Sequence, residues 1–199
     1  MLFRSSFLPD SVCVPRIHKR YLDEKTDGLL ALTGGAEGEV ARHLLRGKTA
    51  EAKAALETLA RQFPGRCYVE ITRHGSPEEA QTEPGLLALA YELDLPIVAT
   101  HDVRFMKAED SEAHDAMMCI ANGAYLGQED RPQVQGQQYL KTEAEMRDLF
   151  ADLPEAIETT AEIAWRCGIR ATKHAPILPN FGDGRSEERR VGKECRSRW

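Results

Sequence analysis

The chain has 199 residues, 42% of them hydrophobic and 29% charged, with a formal net charge of -6 at pH 7. That balance suits one domain with a sizeable core, or most of a larger one, and argues against a broad nucleic-acid surface, which relies on clustered Lys and Arg. No stretch approaches the roughly 20 apolar residues that cross a bilayer, and "MLFRSSFLPDSV" has neither a sustained apolar run nor a small-residue cleavage site, so a cytoplasmic protein without membrane contact is expected.

In chain order, "LLALT" (29–33) reads as a strand, followed by the glycine-broken turn "GGAEG" and two helical stretches. The second stretch carries Ala52, Ala55, Leu56, Leu59 and Phe63 on one face, and Pro64 and Gly65 end it. "CYVEIT" (67–72) has β-branched and aromatic residues at strand spacing. In "TEPGLLALAYELDL", Thr82 is expected to cap a helix with Pro84 in its first turn. "PIVAT" (96–100) is a third strand, and "EDSEAHDAMMCIANG" a helix with acids in its first turn and Gly123 as its stop. The stretch "AYLGQEDRPQVQGQQYL" is polar and lacks periodicity. Two more helices follow, each opened by residues at capping-box spacing: Thr142 with Glu145, then Asp152 with Glu155, the last helix ending at Gly168.

Strand alternating with helix predicts an α/β fold with parallel strands and crossover helices. Chemistry in such sheets gathers at the carboxyl ends of strands, which puts Gly34 and Gly35, Thr72 to His74, and His101 to Arg104 on one rim. The ends of the chain read as foreign. The last residues, "DGRSEERRVGKECRSRW", carry six basic and four acidic groups without apolar periodicity, and "MLFRSS" has the same look.

Candidate chemistry is sparse. His101 and Asp102 follow a buried-looking strand, where divalent cations find ligands, but a useful site needs three or four. The chain has no H-x-H, H-E-x-x-H or D-x-D, and Arg104, two residues beyond Asp102, repels metal and is placed to pair with that acid. Glu70 is a candidate base or ligand, with pairing to Arg73 or hydrogen bonds to turn amides as the plainer alternative, and His74 is a rim residue. His114 reads as a packing histidine, and His18, His43 and His174 have no partners at informative spacing. "TGGAEGEV" matches neither phosphate-binding glycine pattern and is better explained as a tight turn. Five cysteines, never paired as C-x-x-C, argue against structural zinc and a disulfide framework, and Cys67, Cys119 and Cys167 are expected to act as small hydrophobes.

Several stretches in fixed order say more than any single motif: "LLALTGGAEGEVARHLLRGKTAEA", "YVEITRHG", "LPIVATHDVRFMKAEDSEAHDAMMCIANG", "YLKTEAEMRDLFADLPEAIETTAEIAWRC" and "PILPNF". Together they resemble the bacterial replicative DNA polymerase III alpha subunit, in the later part of its N-terminal PHP (polymerase and histidinol phosphatase) domain. The resemblance implies part of a distorted β/α barrel over 20–124, a helical segment joining it to the polymerase core over 125–181, an uncertain or foreign 1–19 and a non-native tail at 182–199. It implies template-directed DNA synthesis by the parent, a nucleotidyltransferase needing Mg, although this fragment lacks the polymerase residues and cannot polymerise alone.

The same resemblance bears on metal. Members with an intact PHP centre carry a cysteine ligand where this chain has Gly35, and an Asp-x-His pair where it has Asp102 and Arg104. A vestigial site follows, with Asp102 the surviving ligand, no metal and no catalytic residue, rimmed by Glu70, His74, His101, Asp102 and Arg104. The segment is then expected to be a scaffold and docking part, with a separate proofreading exonuclease subunit and other replicase subunits as partners, and DNA reached through downstream parts of the parent. The alternative is an active PHP-type metal-dependent phosphoesterase or proofreading 3'-5' exonuclease. A stand-alone binding module is a third reading.

Overall fold

The computed structural model describes residues 19, 22–23, 26–128, 130–131, 135–170 and 172–173. Cys13, Cys195, His18, His174 and the expected foreign tail lie outside them. The chain divides into two compact units, 1–167 and 168–199. The few described residues of the second form no regular element, and the strands and helices belong to the first.

Three strands make a parallel sheet in the order β1 (Ala31–Leu32), β2 (Cys67–Thr72), β3 (Ile97–Thr100). Ala31 pairs with Cys67, and Val69 to Thr72 pair with Ile97 to Thr100. Cys67, Tyr68, Val69 and Ile71 of β2 are all buried, so the central strand is covered on both faces, as parallel sheets require. "LLALT" yields only two strand residues, because β1 leaves the ladder where Gly34 turns left-handed at φ 85°.

Helices α1 (Glu39–Leu45) and α2 (Thr49–Gln62) fill the first crossover. Ala52 and Leu56 are fully buried, with Ala55 and Leu59 partly buried against the same core and Phe63 at the helix end. The expected stripe is therefore the one that packs.

The second crossover helix, α3 (Pro77–Glu92), starts six residues before its expected first turn. Ser76 is the cap: its hydroxyl accepts the Glu79 amide at 3.2 Å, and the Glu79 carboxylate takes the Ser76 amide at 3.2 Å. Pro77 occupies the first position, whose N–H has no partner in any helix. Pro84 lies inside the helix, and Thr82 is no cap but a buried residue whose hydroxyl donates back to the Glu78 carbonyl at 2.8 Å. Two start signals compete here, and the complete capping box wins.

Helix α4 (Ser111–Asn122) ends, as expected, on left-handed Gly123. Helix α5 (Glu143–Leu149) opens on the expected Thr142–Glu145 box. Helix α6 (Pro154–Arg166) does not open on Asp152: Leu153 precedes Pro154 at its start, and Asp152 is drawn away to Arg73. Glu155 instead accepts the Tyr91 hydroxyl at 2.8 Å. Phe150, Leu153 and Ala156, at the corner between α5 and α6, are buried in the core. Thr160 of α6 donates to the Ala99 carbonyl of β3 at 3.0 Å, which seats the helix on the sheet. Cys67 and Cys119 are buried as expected, whereas Cys167 is exposed just past the end of α6.

Arg73, just past β2, ties these layers together. Its guanidinium donates to both Glu83 oxygens (2.5 and 3.1 Å), both Asp152 oxygens (2.6 and 2.8 Å) and the Leu149 carbonyl (2.7 Å). It also lies 4.7 Å from the centre of the Phe150 ring. Five N–H groups meet five acceptor contacts, a match that the planar fork of arginine allows and lysine does not.

Candidate functional site

The carboxyl ends of the three strands open into a cleft of about 780 Å³. Gly34, Glu70, Thr72, His74, His101, Asp102 and Arg104 all line it, so most of the rim expected from strand polarity is brought together, while Arg73 and Val103 are not among the lining residues. Gly35 is buried beside Thr72 but is not among the lining residues. Among the described residues, the walls carry Glu37, Glu70, Glu78, Glu79 and Asp102 against one cation, Arg104.

Glu70 sits near the end of β2. One oxygen accepts the Gly34 amide at 2.9 Å and the other the Thr100 hydroxyl at 2.6 Å. It therefore bonds a turn amide, as the plainer alternative had it, and Arg73 is occupied elsewhere. Its own amide donates to the buried Thr33 hydroxyl at 2.9 Å. The carboxylate laces the ends of all three strands.

His74 is wired on both nitrogens. Nε2 accepts the Asp102 amide at 2.8 Å, which leaves Nδ1 to carry the proton and donate to Glu79 at 2.5 Å. The neighbours thus set which ring nitrogen donates and which accepts. Glu79 also accepts the amides of His74, Gly75 and Ser76 at 2.7, 3.1 and 3.2 Å. Burial pushes the Glu79 carboxyl up, but the His74 amide, the Thr72 hydroxyl and the Ser76 amide outweigh it, and the net shift is downward.

His101 stands beside His74, ring centres 4.9 Å apart, and its Nε2 donates to the Gln137 carbonyl at 2.9 Å. Among the described residues, its buried Nδ1 has no hydrogen-bond partner. Burial lowers its pKa against the pull of the Gln137 and Tyr139 carbonyls. The ion pair expected between Asp102 and Arg104 forms, Nε to Oδ2 at 2.7 Å, and the Gln138 side-chain amide reaches the same oxygen at 3.0 Å. His114 leans on the Phe105 ring at 5.7 Å and also reaches the cleft.

These residues do not fit a metal centre. The Asp102 carboxylate is held by a guanidinium and an amide, His74 has spent its Nε2 lone pair on a backbone N–H, and both Glu70 oxygens are engaged. Gly35 offers no donor atom, and a Cβ there would stand 3.1 Å from Thr72 Oγ1 at a backbone φ of 52°. Among the described residues, no three His, Cys, Asp or Glu side chains form a group able to hold an ion.

Glu79, Thr100 and Gln138 are site residues that sequence reasoning missed. The S-x-x-E spacing at Ser76 announces Glu79, but the proline signal at Pro84 masks it. Gln138 lies in an aperiodic polar stretch that gives no signal at all.

Residues 4–74 match the model of the PHP domain, beginning inside the 1–19 stretch expected to be uncertain or foreign. The DNA polymerase III subunit alpha of Caulobacter vibrioides is 48% identical over 175 residues, 87% of this chain and 15% of that protein. The same subunit from Pseudomonas aeruginosa is 43% identical over 166 residues, 83% of this chain and 14% of the relative. That from Escherichia coli K12 is 39% identical over 171 residues, 85% and 15% respectively. The chain thus spans about 15% of the length of the relatives it matches. By sequence, the chain is similar along most of its length to one segment of bacterial DNA polymerase III alpha subunits, and over residues 4–74 to the PHP domain.

Proposed function

We propose that the chain is a segment of a replicative DNA polymerase III alpha subunit and that, within it, this part of the PHP domain is a metal-free scaffold and docking element. The parent would perform template-directed DNA synthesis with Mg in a polymerase core elsewhere in its length. As a subunit of a replicase in the cytoplasm, it would meet a proofreading exonuclease subunit, other replicase subunits and, through its other parts, DNA. The observation that carries the reading is the state of Asp102. The carboxylate that would anchor an ion is held by Arg104 and Gln138 instead.

Without a metal, the rim residues have structural work. Glu70 laces the strand ends, His74 and Glu79 brace the turn into α3, and Asp102 positions its neighbours.

One observation favours the active-hydrolase reading: Nδ1 of His101, without a partner among the described residues, leaves an imidazole lone pair beside the cleft. A single experiment separates the two. The full-length parent is assayed with Mg for primer extension, and with Mn or Zn for release of nucleotides from DNA 3' ends, wild type beside Asp102→Ala. The scaffold reading expects extension in both proteins and no metal-dependent 3' release in either. Release that Asp102→Ala abolishes would establish the hydrolase, and loss of extension from a wild-type protein that folds would remove the polymerase assignment.

A further inference from the structure

We propose that residues 135–140 form a strap fastened along one wall of the cleft, and that His101, Asp102 and Arg104 act as its clasp. The inference rests on the metal-free reading and says what these rim residues do in place of holding an ion.

The strap runs alongside the chain that leaves β3. The Arg104 amide donates to the Gln138 carbonyl at 2.8 Å, the Leu140 amide donates to the Phe105 carbonyl at 3.0 Å, and Phe105 and Tyr139 form a parallel bridge. Four side chains add to this backbone seam. His101 donates to the Gln137 carbonyl, and Gln138 Nε2 and Arg104 Nε converge on Asp102 Oδ2. The Gln138 side chain is used at both ends, since its oxygen accepts the Gln135 amide at 3.1 Å while its nitrogen holds Asp102. Beyond the seam, the Tyr139 hydroxyl donates to Glu145 at 2.7 Å, in the cap of α5.

Gln135 and Gln138 face the cleft, so the strap supplies one of its walls. A stretch of low apolar content cannot hold itself in place by burial; hydrogen bonds must do it, and a segment held mainly by them opens more readily than a core strand. The Asp102 carboxylate is the common acceptor for Arg104 and Gln138. Removing it, or the Gln138 amide, loosens the wall and leaves the sheet intact.

Hydrogen exchange on the full 199-residue chain at low micromolar concentration tests this. Wild type is compared with Asp102→Ala, Gln138→Ala and, as a remote surface control, Lys53→Ala. The strap account expects the Arg104 and Leu140 amides to exchange about tenfold faster in the first two variants, with the β2 amides of Val69 and Ile71 unchanged and the control like wild type. Unchanged exchange at Arg104 and Leu140 in Gln138→Ala, whose side chain is outside the core, would overturn it. Equal acceleration of strap and β2 would overturn it as well, since the strap would then not be a separate unit. Titration of wild type with Mn or Zn in parallel keeps the two claims apart: stoichiometric binding contradicts the metal-free reading whatever the exchange data show.

Discussion

At the scale of the residue, the cleft is governed by which lone pairs and charges are already taken. Asp102 and Arg104 are about half exposed, so their pair is worth about 0–1 kcal/mol and its weight lies in geometry rather than stability. This contact was legible in the sequence, because two residues separated by one position after a strand point to the same side. The wiring of His74 was not legible. It depends on the Asp102 amide, which comes from a different strand end, and on Glu79, which the capping box at Ser76 holds in place. Gly35 gives the sharpest test at this scale. Gly35→Cys, which supplies the thiol found in members with an intact centre, must hold a side chain at φ 52° and press on Thr72. A loss of about 1–2 kcal/mol is expected, read as a lower midpoint in urea, with no gain of metal. An unchanged midpoint and a newly bound ion would show that the turn had been misjudged.

At the scale of the element, composition announced helices well and their starts less well. Helix α2 was readable because its apolar stripe is unbroken. Helix α3 was misplaced because Pro84, well inside it, imitates a start. Pro84 is exposed and lacks the N–H that would reach the Ala80 carbonyl. Pro84→Ala should therefore stabilise the protein by about 1 kcal/mol or more, visible as a rise in melting temperature. A fall would return Pro84 to a helix start.

Helix α5 carries a pH signature. Its cap carboxylate, Glu145, is pulled down to about 2 by the Thr142 amide, the Tyr139 hydroxyl and the Thr142 hydroxyl, against an ordinary value of 4.5. A depressed folded-state value means that the cap's contribution is complete above the unfolded value and is lost as pH falls through the folded one. Between pH 4.5 and about 2, the Thr142 amide resonance should shift with Glu145 protonation and the Tyr139 tie from the strap to the α5 cap should release. A midpoint near 4.5 would mean that the cap is not formed.

At the scale of the whole molecule, strand polarity follows from the alternation of apolar runs with helices. That alternation alone put Glu70, His74 and His101 to Arg104 at one end of a parallel sheet, which is where the structure has them. The strap and the Arg73 junction escaped the same reading. Both are made by polar contacts between residues far apart in the chain, such as Gln138 with Asp102 and Arg73 with Asp152, and no local period records them. The similarity to DNA polymerase III alpha subunits covers a small part of those proteins, and the cleft is the feature of this part that decides between scaffold and hydrolase. The direct measurement is the metal content of the purified protein after dialysis against micromolar Zn and Mn, wild type beside Asp102→Ala. Both proteins are predicted to carry well under one ion per chain and to be indistinguishable. One ion per wild-type chain, lost from the variant, would contradict the account.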